Sequence, residues 1–314
     1  MISLVEANSP GMKTKLIVNP NADLGRAWRT AADLRYLVEQ YGGADWAGTV
    51  YPTHAIELAR QAAEAGYELI IAAGGDGTVH EVLNGIMQAQ VAQKPRLGVI
   101  PLGSGNDFSH AVGIDPKPAL ALRQAFQGTP RRIDLGIFRS GEGHWEYFDN
   151  ALGIGFDTTV TIRSRKLTYL RGFLIYLVAV LQTIILNHEA PHMKVVTDAK
   201  SWEEESIFFV LGNGRREGGG FLVTPDARPD DGLLHYSSIR QVSRLKMLRL
   251  LPEVMAGTHG NFKQDVRMGV LTRMELHADR PLYVHADGEI ISGFGSDLRD
   301  LQVELIPGAI EVMV

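Results

Sequence analysis

The sequence predicts an α/β domain with a parallel sheet, followed by a β-rich domain in the form of an antiparallel sandwich. Strand and helix signals alternate through the first half of the 314-residue chain, which is the order of a parallel sheet covered by helices on both faces. Short strand signals dominate the second half, as in antiparallel sandwiches. Glycine-rich turns follow two first-half strands, where open α/β sheets present their binding crevice.

The composition is that of an ordinary globular protein of about two domains. Hydrophobic residues make up 45% and charged residues 21%, which excludes a disordered chain, a collagen-like repeat and a charged coiled coil. The 34 glycines exceed average usage and favour tight turns and close backbone approach to a ligand. Cysteine is absent, which excludes disulfides, thiolate metal sites and cysteine nucleophiles. The net charge of −5 gives no sign of a nucleic-acid partner.

In the first half, apolar runs predict strands, and segments with apolar residues at helical spacing predict the helices between them. The predicted strands are 15–19, 48–51, 68–73 and 96–100, and the predicted helices are 28–41, 54–65 and 78–89. The run ELIIAA at 68–73 is continuously apolar, which is typical of a strand covered on both faces.

In the second half, strands are predicted at 132–138, 145–152, 194–197, 206–212, 233–239, 274–278 and 282–286. Helices at about 162–187 and 242–256 interrupt them. A turn-rich boundary near 136–145 gives the predicted organisation. It consists of a loose leader at 1–12 without a signal peptide, a first domain at 13–138, a second at 139–308, and a strand at 309–314 that returns to the first domain.

The segment 68–87 carries the strongest functional signal. A strand pattern runs into Gly74-Gly75-Asp76-Gly77-Thr78 and then into a helix. Glycines at such a turn let backbone N–H groups approach an anion, and the helix N-terminus adds partial positive charge. A Walker A loop and a dinucleotide fingerprint are excluded, because the loop lacks GK[ST] and His80 stands where a third glycine would be. Asp76 beside a bound phosphate would be repulsive without a cation, so magnesium is implied.

A second loop of the same kind lies at 99–108 (VIPLGSGNDF). It again follows a predicted strand and combines glycines with a hydroxyl, Ser104, and an acid, Asp107. Two such loops at the carboxyl ends of neighbouring parallel strands would face one crevice. Together they predict that the first domain is a Rossmann-like nucleotide-binding domain.

GGDGTVHEVLNG followed by PLGSGNDF resembles the diacylglycerol kinase catalytic domain. The chain from about residue 13 to its end resembles the small bacterial lipid kinases of that superfamily, which includes sphingosine and ceramide kinases and is related to NAD kinases. Later segments agree, in family order: Gly212-Asn213-Gly214, Gly218-Gly219-Gly220, PDARPDDGLL at 225–234 and Asp287-Gly288-Glu289. GGDGT also occurs in NAD kinases and phosphofructokinases, so the resemblance depends on the combination.

The resemblance implies an ATP site in a cleft between the two domains, with a hinge that closes it. The residues implied to contact ATP are Asn19, Thr53, Gly75, Asp76, Gly77, Thr78, Val79, His80, Glu81 and Ser104. Two of them depart from the usual family pattern, since Ser104 replaces a threonine and His80 an asparagine. The serine keeps the hydroxyl, and the histidine is expected to tune nucleotide affinity.

The resemblance also implies the catalytic and metal-binding acids. Glu289 would accept the proton of the acceptor hydroxyl, with Asp287 as its neighbour in the site, and His285 is expected to be structural. Asp76, Asp107 and Asp134 would form a magnesium–water network. A second, structural magnesium would use the Asp231 carboxylate with the backbone carbonyls of Arg228 and Leu233. For Asp134 and Asp231 an ordinary turn remains the alternative.

The activity implied is transfer of a phosphoryl group from ATP to a lipid hydroxyl, with diacylglycerol giving phosphatidic acid as the main expectation. The alternatives are another acceptor (phosphatidylglycerol, monoacylglycerol, a sphingoid base or NAD) and a nucleotide-sensing protein without catalysis. The expected setting is cytoplasmic, with peripheral contact to the inner face of the membrane and a homodimer as one possible assembly.

Two basic segments are candidates for that membrane contact. The apolar stretch 172–187 is shorter than the ~20 residues of a membrane span and follows Arg163, Arg165, Lys166 and Arg171. It is interpreted either as a mostly buried helix or as a helix that docks on anionic lipid. Arg240, Arg244, Lys246 and Arg249 form a rival patch on the predicted helix 242–256.

Overall fold

The computed structural model describes residues 12–141, 143–167, 173–187 and 189–314, so the predicted leader lies outside the described residues except for Met12. The elements of the first region are β1 (Thr14–Val18), α1 (Ala22–Gly25), α2 (Ala27–Asp33), α3 (Arg35–Gln40), β2 (Asp45–Gly48), α4 (His54–Glu64), β3 (Leu69–Gly74), α5 (Asp76–Gln88), β4 (Arg96–Pro101), α6 (Asp107–Val112) and α7 (Pro118–Gln127).

The first four strands form a parallel sheet in the order β2-β1-β3-β4. All six residues of β3 are buried, because helices cover both faces of the sheet. Ile70 and Ala72 pack with α4 and α5, while Leu69 and Ile71 pack on the other face with α2, α3 and α7. The predicted parallel α/β domain is confirmed, and its two glycine-rich loops leave the same edge of the sheet.

Several predicted boundaries in this region are wrong. The strand expected at 48–51 is β2, which ends at Gly48, and the helix expected at 28–41 is divided into α2 and α3. The helices α6 and α7 were not predicted. Pro118 stands at the start of α7, and proline in the first helical turn is the signal that could have found it.

The elements of the second region are β5 (Pro130–Ser140), β6 (Trp145–Phe148), β7 (Ala151–Gly155), α8 (Phe156–Ser164), α9 (Phe173–Leu186), β8 (His192–Thr197), β9 (Ser201–Gly212), β10 (Leu234–Arg240), α10 (Arg244–Ala256), β11 (Val266–Leu271), β12 (Arg273–Ala278), β13 (Val284–Ala286), β14 (Glu289–Ser292) and β15 (Asp300–Met313).

These strands form the predicted antiparallel sandwich. One layer contains β6, β5, β15, β12 and β8, and the other contains β11, β10, β7, β13 and β14. The long strand β9 belongs to both, because its first half pairs with β8 and its second half with β7 and β10. Phe138 and Leu276 from one layer meet Leu152 and Tyr236 from the other in a shared apolar core.

Three helices cover the outer face of the second layer. Residues of α8, α9 and α10 form one apolar cluster with β9 and β10. The helix expected at 162–187 is wrong as a single element, since α8 already begins at Phe156 and ends at Ser164, before α9 begins at Phe173. The strand expected at 145–152 is likewise two strands, β6 and β7.

The last strand connects the two regions. β15 pairs with β12 and β5, and its residue Val312 pairs in parallel with Leu97 of β4. The register with β5 shifts between Ile306 and Ile310, which is a bulge in the strand. Among the described residues, no helix combines the length and the apolar character that crossing a bilayer requires.

Candidate active site

The first glycine-rich loop places the start of α5 at the edge of the sheet. Gly74 ends β3, and a Cβ at this position would overlap the Thr78 side chain. A Cβ on Gly75 would come within 3.1 Å of the Gly103 Cα, so this loop and the second one touch through glycine. Backbone N–H groups at the start of the 13-residue helix α5 therefore face the cleft without covering side chains, as an anion site requires.

Two carboxylates lie on either side of Gly105, in the second loop. A Cβ on Gly105 would be 2.9 Å from Asp76 Oδ2 and 3.3 Å from Asp107 Oδ2. Burial first, and then the charge of Asp107, raises the pKa of Asp76 from 3.8 to about 7. Burial likewise raises the pKa of Asp107. The two acids are thus close and repel each other, and a cation between them would relieve that repulsion.

Asp107 also connects the second loop to the sandwich domain. Its Oδ1 lies 2.8 Å from Arg216 Nε, and its Oδ2 accepts a hydrogen bond from the Gly219 N–H at 3.1 Å. Arg216 in turn donates to the carbonyl oxygen of Gly105 at 3.3 Å. The segment GRREGGG at 214–220 thereby forms the wall of the cleft that faces the second loop.

The Asp287–Glu289 turn forms the other side of the site. Asp287 and Gly288 have φ values of +50° and +86°, and they connect β13 to β14 in an antiparallel pair. Two consecutive residues with positive φ define the type I′ hairpin turn, for which Asp-Gly is a preferred sequence. This turn places Glu289 at the first position of β14.

The Asp287 carboxylate is saturated by hydrogen bonds from the protein. Its Oδ1 accepts from the N–H groups of Asn150 and Ala151 at 2.9 and 2.8 Å. Its Oδ2 accepts from the Asp149 N–H at 2.9 Å and contacts His80 Nδ1 at 2.8 Å. Asp287 therefore anchors the turn to the start of β7 and to α5, with little capacity left for a ligand.

His80 lies between two acids in the interior. Its Nδ1 contacts Asp287 and its Nε2 is 2.7 Å from Glu146 Oε1, with the imidazole 1% exposed. Burial lowers the pKa of His80, but the two carboxylates outweigh burial and hold that pKa well above its usual range. Both ring nitrogens of His80 therefore face carboxylates, and the side chain ties α5 to the Asp287 turn without reaching the cleft.

Glu289 reaches across the cleft toward the first loop. Its Oε2 lies 2.7 Å from Arg165 Nη2. A Cβ on Gly77 would be 2.8 Å from Glu289 Oε1, so the carboxylate lies directly over this glycine. The half-exposed acid is thus held at the opening of the phosphate loop, where a general base could act.

The cleft continues from these polar groups into an apolar cavity, and together they enclose about 710 Å³. The cavity lies between the outer sandwich layer and helices α8, α9 and α10. Its apolar lining includes Phe156, Val160, Val180, Phe221, Met247 and Leu250. One enclosed space therefore joins a charged end to an end suited to hydrocarbon.

The structure brings most of the predicted site residues together. Asn19, Gly75, Asp76, Gly77, Thr78, Glu81, Ser104, Asp107, Asp287 and Glu289 all line the cleft. Thr53, Val79 and His80 do not. Val79 is packed in the core, while Thr53 is exposed and donates its N–H to Glu81 Oε1 at 2.9 Å.

Asp134 is also away from the cleft. Its Oδ2 accepts from the Gly232 N–H and its Oδ1 from the Gly308 N–H, each at 2.7 Å. It thus joins the 225–234 loop to the bulge of β15, and the structure does not bring it together with Asp76 and Asp107.

The 225–234 loop is also closed by its own residues. Asp231 Oδ1 accepts from the Leu233 N–H at 3.0 Å, and its Oδ2 lies 3.2 Å from His235 Nε2. Arg228 is exposed, and the neighbouring Asp230 pairs with Arg131 at 2.6 Å. These contacts account for the loop without an ion, so the structural magnesium stays a prediction.

Sequence reasoning missed several residues of the cleft. Asp157, Arg165, Glu217 and His285 all line it. Arg165 was placed in a membrane patch, and His285 was treated as structural only. Glu217 lies in the GRREGGG segment, where the surrounding glycines were the available signal. Asp157 follows Gly155, whose φ is +80°, and the strand-to-helix turn there resembles the other two loops.

Comparisons with known proteins place the chain in one family. Residues 13–138 match the model of the diacylglycerol kinase catalytic domain, and residues 150–314 match that of the YegS C-terminal NAD kinase beta sandwich-like domain. A "Probable lipid kinase YegS-like" protein of Chromohalobacter salexigens is 34% identical, covering 81% of this chain and 78% of that protein. A "Diacylglycerol kinase" of Mycobacterium tuberculosis is 27% identical over 82% of this chain and 80% of its own length.

Solved structures agree with the fold. A crystal structure of a diacylglycerol kinase from Bacillus anthracis str. Sterne superposes with a TM-score of 0.71 at 22% identity, covering 98% of each chain. The two family domains correspond to the parallel sheet and the sandwich, and the cleft between them contains both family motifs. The chain therefore belongs to the YegS-like lipid kinases with a diacylglycerol kinase catalytic domain, and it is a lipid kinase.

Proposed function

We propose that the protein transfers the γ-phosphoryl group of ATP to the hydroxyl of a neutral lipid, with diacylglycerol as the acceptor and phosphatidic acid as the product. The observation that carries this proposal is the continuity of the cleft. Two glycine loops form one end together with acids that include Asp76, Asp107 and Glu289, and an apolar cavity forms the other. A lipid that fills the cavity would present its hydroxyl to the polar end.

The phosphate groups of ATP would lie against the start of α5. Gly75 and Gly77 leave the backbone N–H groups of this turn uncovered, and Asn19 donates a hydrogen bond to Thr78 Oγ1 at 3.1 Å. Ser104 adds a hydroxyl from the second loop. Glu81 supports the site from behind, because its carboxylate accepts the N–H groups of Thr53 and Ala55 at 2.9 and 3.1 Å.

Asp76 and Asp107 fit a magnesium ion. Their facing oxygens are separated by the space over Gly105, and the raised pKa of Asp76 shows that its negative charge is poorly compensated in the protein alone. Mg²⁺ prefers oxygen ligands and commonly takes one or two carboxylates together with phosphate oxygens. When bound there, the ion would neutralise charge on the transferred group.

Glu289 would orient the acceptor hydroxyl and accept its proton. Its carboxylate already lies over Gly77, at the phosphate loop, and Arg165 fixes its position. Phosphoryl transfer depends mainly on positioning and charge, with an acid to take the proton of the nucleophile. Asp287 would act through the turn it anchors, since its own oxygens are occupied.

An assay of acceptors tests the proposal directly. Purified protein would be incubated with labelled ATP and diacylglycerol, monoacylglycerol, phosphatidylglycerol, a sphingoid base or NAD. We expect label in phosphatidic acid. The cavity favours a lipid over NAD, whereas the cleft-lining Glu289 disfavours a protein that only senses nucleotide. Label in NAD alone would contradict the lipid acceptor, and nucleotide binding without any product would support the sensor.

The structure supports membrane contact through α9 and α10 rather than through the segment before α9. Arg163 is hydrogen-bonded to Asn187, and Arg165 pairs with Glu289. Lys166 is exposed, and Arg171 lies outside the described residues. By contrast, α9 and α10 expose apolar side chains beside the cavity that their inner faces line. These are Leu174, Leu181, Ile185 and Leu186 on α9, and Leu245 and Leu248 on α10.

Charge on α10 complements this apolar surface. Arg244 and Arg249 are exposed on the same helix, and each basic residue near an anionic bilayer adds ~1 kcal/mol of attraction. Lys246 and Arg240 contribute less, because they pair with Asp265 and Glu204 at 2.7 and 3.2 Å. We propose that α9 and α10 lie on the inner membrane surface while a lipid enters the cavity between them.

Vesicle co-sedimentation checks this face. Leu245, which is 80% exposed, would be changed to glutamate, with the exposed Leu120 of α7 changed in the same way as a matched control. Leu245→Glu should weaken binding to anionic vesicles, and Leu120→Glu should not. Equal loss in both variants, or binding indifferent to salt and anionic lipid, would contradict the assignment.

A further inference from the structure

Gly288, inside the Asp287–Glu289 turn, is held at both of its peptide groups, the one it shares with Asp287 and the one it shares with Glu289. Its N–H donates to His285 Nδ1 at 3.2 Å, and its carbonyl oxygen accepts from Arg165 Nη2 at 2.8 Å. Arg165 also pairs with Glu289 at 2.7 Å. A turn of two residues with positive φ thus receives one side-chain contact on its central peptide and one on the next peptide, beyond the hydrogen bonds that define the hairpin.

The contacts of His285 determine its tautomer. A backbone N–H can only donate, so Nδ1 must be the unprotonated nitrogen and Nε2 must carry the proton. Nε2 then donates to Asp157 Oδ2, 2.9 Å away. The imidazole is 2% exposed, and the other carboxylate near Nε2, that of Glu217, is farther away at 3.9 Å. Asp157 therefore orients His285 so that its acceptor nitrogen faces Gly288.

The space for this arrangement depends on Gly153 in the neighbouring strand. His285 and Gly153 are opposite each other in the pair of β13 and β7. A Cβ on Gly153 would overlap both Asp157 Oδ2 and His285 Nε2. The absence of a side chain at this position lets the carboxylate and the ring meet above the strand.

Both contacts on Gly288 lead back to the same helix. Asp157 lies in the first turn of α8, and Arg165 follows directly after its last residue. Between them, α8 contributes Val160 and Thr161 to the lining of the cavity. Glu217 lies beside Asp157 and His285, and burial followed by the charge of Asp157 raises its pKa well above its usual range.

We propose that Asp157, His285 and Arg165 form an α8 clamp, in which His285 is the positioning residue that fixes Glu289 over Gly77. This role rests on the proposed function of Glu289. Without the bond to His285, the Asp287–Gly288 peptide would be free to rotate, and Glu289 would leave its place at the phosphate loop. Because α8 also lines the cavity, the clamp connects the wall of the acceptor site to the proton acceptor.

Two substitutions of His285 separate the two contacts of the ring. Asparagine places an oxygen near the position of Nδ1 and can still accept from Gly288, but it does not reach Asp157. Glutamine places an NH₂ near Nε2 and can still donate to Asp157, but it offers nothing to Gly288. A residue needed only for packing would respond to its lost volume, and asparagine loses more volume than glutamine.

We expect His285→Gln to lower kcat by ten- to a hundredfold with little change in the KM for ATP, since misplacement by about 1 Å costs up to ~100-fold. His285→Asn keeps the bond to Gly288 but is no longer oriented by Asp157, so its kcat should fall clearly less than that of the glutamine variant. Equal losses in both variants, or a larger loss in the asparagine variant, would overturn the proposal. Gly153→Ala should reproduce the glutamine variant, because it displaces the ring.

A measurement without catalysis keeps this test separate from the proposed function. Nitrogen-15 NMR of labelled protein should show His285 with its proton on Nε2, in wild type and in Glu289→Gln alike. A proton on Nδ1 would overturn the clamp whatever the activity. Full activity of Glu289→Gln with the expected tautomer would instead reject the role of Glu289.

Discussion

The two ends of the cleft are built in opposite ways. At the polar end, backbone turns and crowded acids form the surface, and glycines at 75, 77, 103 and 105 keep side chains away. At the apolar end, side chains of helices α8, α9 and α10 and of the outer sandwich layer form the surface. The polar end should therefore control turnover and nucleotide binding. The apolar end should control which acceptor is bound and with what affinity.

The largest effect on turnover is expected at Glu289, in the polar end. Glu289→Gln should keep the fold and bind ATP almost normally, because the acid is half-exposed and, among the described residues, its one ion pair is with Arg165. General-base assistance is worth ~10²–10⁴-fold, so kcat should fall by about that factor. Steady-state kinetics with isothermal titration of ATP would check it. Near-normal turnover, with loss of activity in Asp287→Asn instead, would move the base to Asp287.

A smaller effect is expected at Asp76, where both binding and turnover should suffer. Asp76→Asn removes one of the two carboxylates that meet over Gly105. The apparent affinity for Mg²⁺ should fall by about 10- to 100-fold, as is typical when a metal site loses a supporting group. Activity measured as a function of Mg²⁺ concentration at fixed ATP gives this apparent affinity. An unchanged midpoint would place the ion elsewhere.

The cavity at the apolar end can be made smaller without changing any residue of the polar end. Val180 lines the cavity, and Val180→Phe would fill part of it. Overpacking costs ~1–3 kcal/mol, so the KM for a long-chain acceptor should rise by roughly tenfold while ATP binding stays unchanged. Val242→Phe is the matched control, since Val242 is buried in the same cluster and is not part of the lining. A response of both variants alike would indicate general destabilisation.

The acids of the polar end also predict a pH dependence of stability in metal-free protein. The pKa of Asp76 rises from 3.8 unfolded to about 7 folded, and burial raises the pKa of Asp149 in the same direction. A group with a raised folded pKa contributes stability below its unfolded pKa, and that contribution is lost as pH rises toward the folded pKa. The free energy of unfolding should therefore decrease between about pH 4 and pH 7 on this account.

Urea unfolding at several pH values, in chelator, would measure this slope. Asp76→Asn should flatten the slope, because asparagine has no proton to lose. The exposed Asp33→Asn should leave it unchanged. Identical slopes in wild type and Asp76→Asn would show that ionisation of Asp76 does not destabilise the folded state.

The smallest effect is expected away from the cleft, at Asp231. Asp231→Asn weakens contacts to Leu233 and His235 within one loop, which should cost ~1 kcal/mol with kcat preserved. Thermal unfolding with and without Mg²⁺ would check it. Stabilisation of wild type by Mg²⁺ that the variant lacks would support the structural magnesium. An equal response of both proteins would indicate that hydrogen bonds, and not an ion, hold the loop.

The same contrast explains what could be predicted from the sequence. The polar end consists of short motifs in which glycines and acids are adjacent in the chain, so the loops around Asp76 and Asp107 and the Asp287 turn were predictable. The residue types of the apolar end carry no such signal. Val160, Val180 and Met247 have the pattern of any buried helix, and only packing of α8, α9 and α10 shows that they enclose a cavity.

The errors have a similar origin. Arg165 reads as one of several surface cations, because nothing local indicates that Glu289, more than a hundred residues later, accepts it. His80 and Asp134 lie in or near family motifs, yet their partners come from distant segments. The predicted helix boundaries differ from the observed ones where a single helix pattern covers two helices, as in the segment divided into α8 and α9.

The continuous path of β15 limits how the protein can move. This single strand of 14 residues belongs to the sandwich at one end and to the sheet of the first domain at the other. β5 pairs with β15 on both sides of the bulge, and Asp134 of β5 accepts the Gly308 N–H within it. A change in the angle between the two domains would therefore have to bend β5 and β15 together, because a continuous strand pair, rather than a flexible linker, connects them.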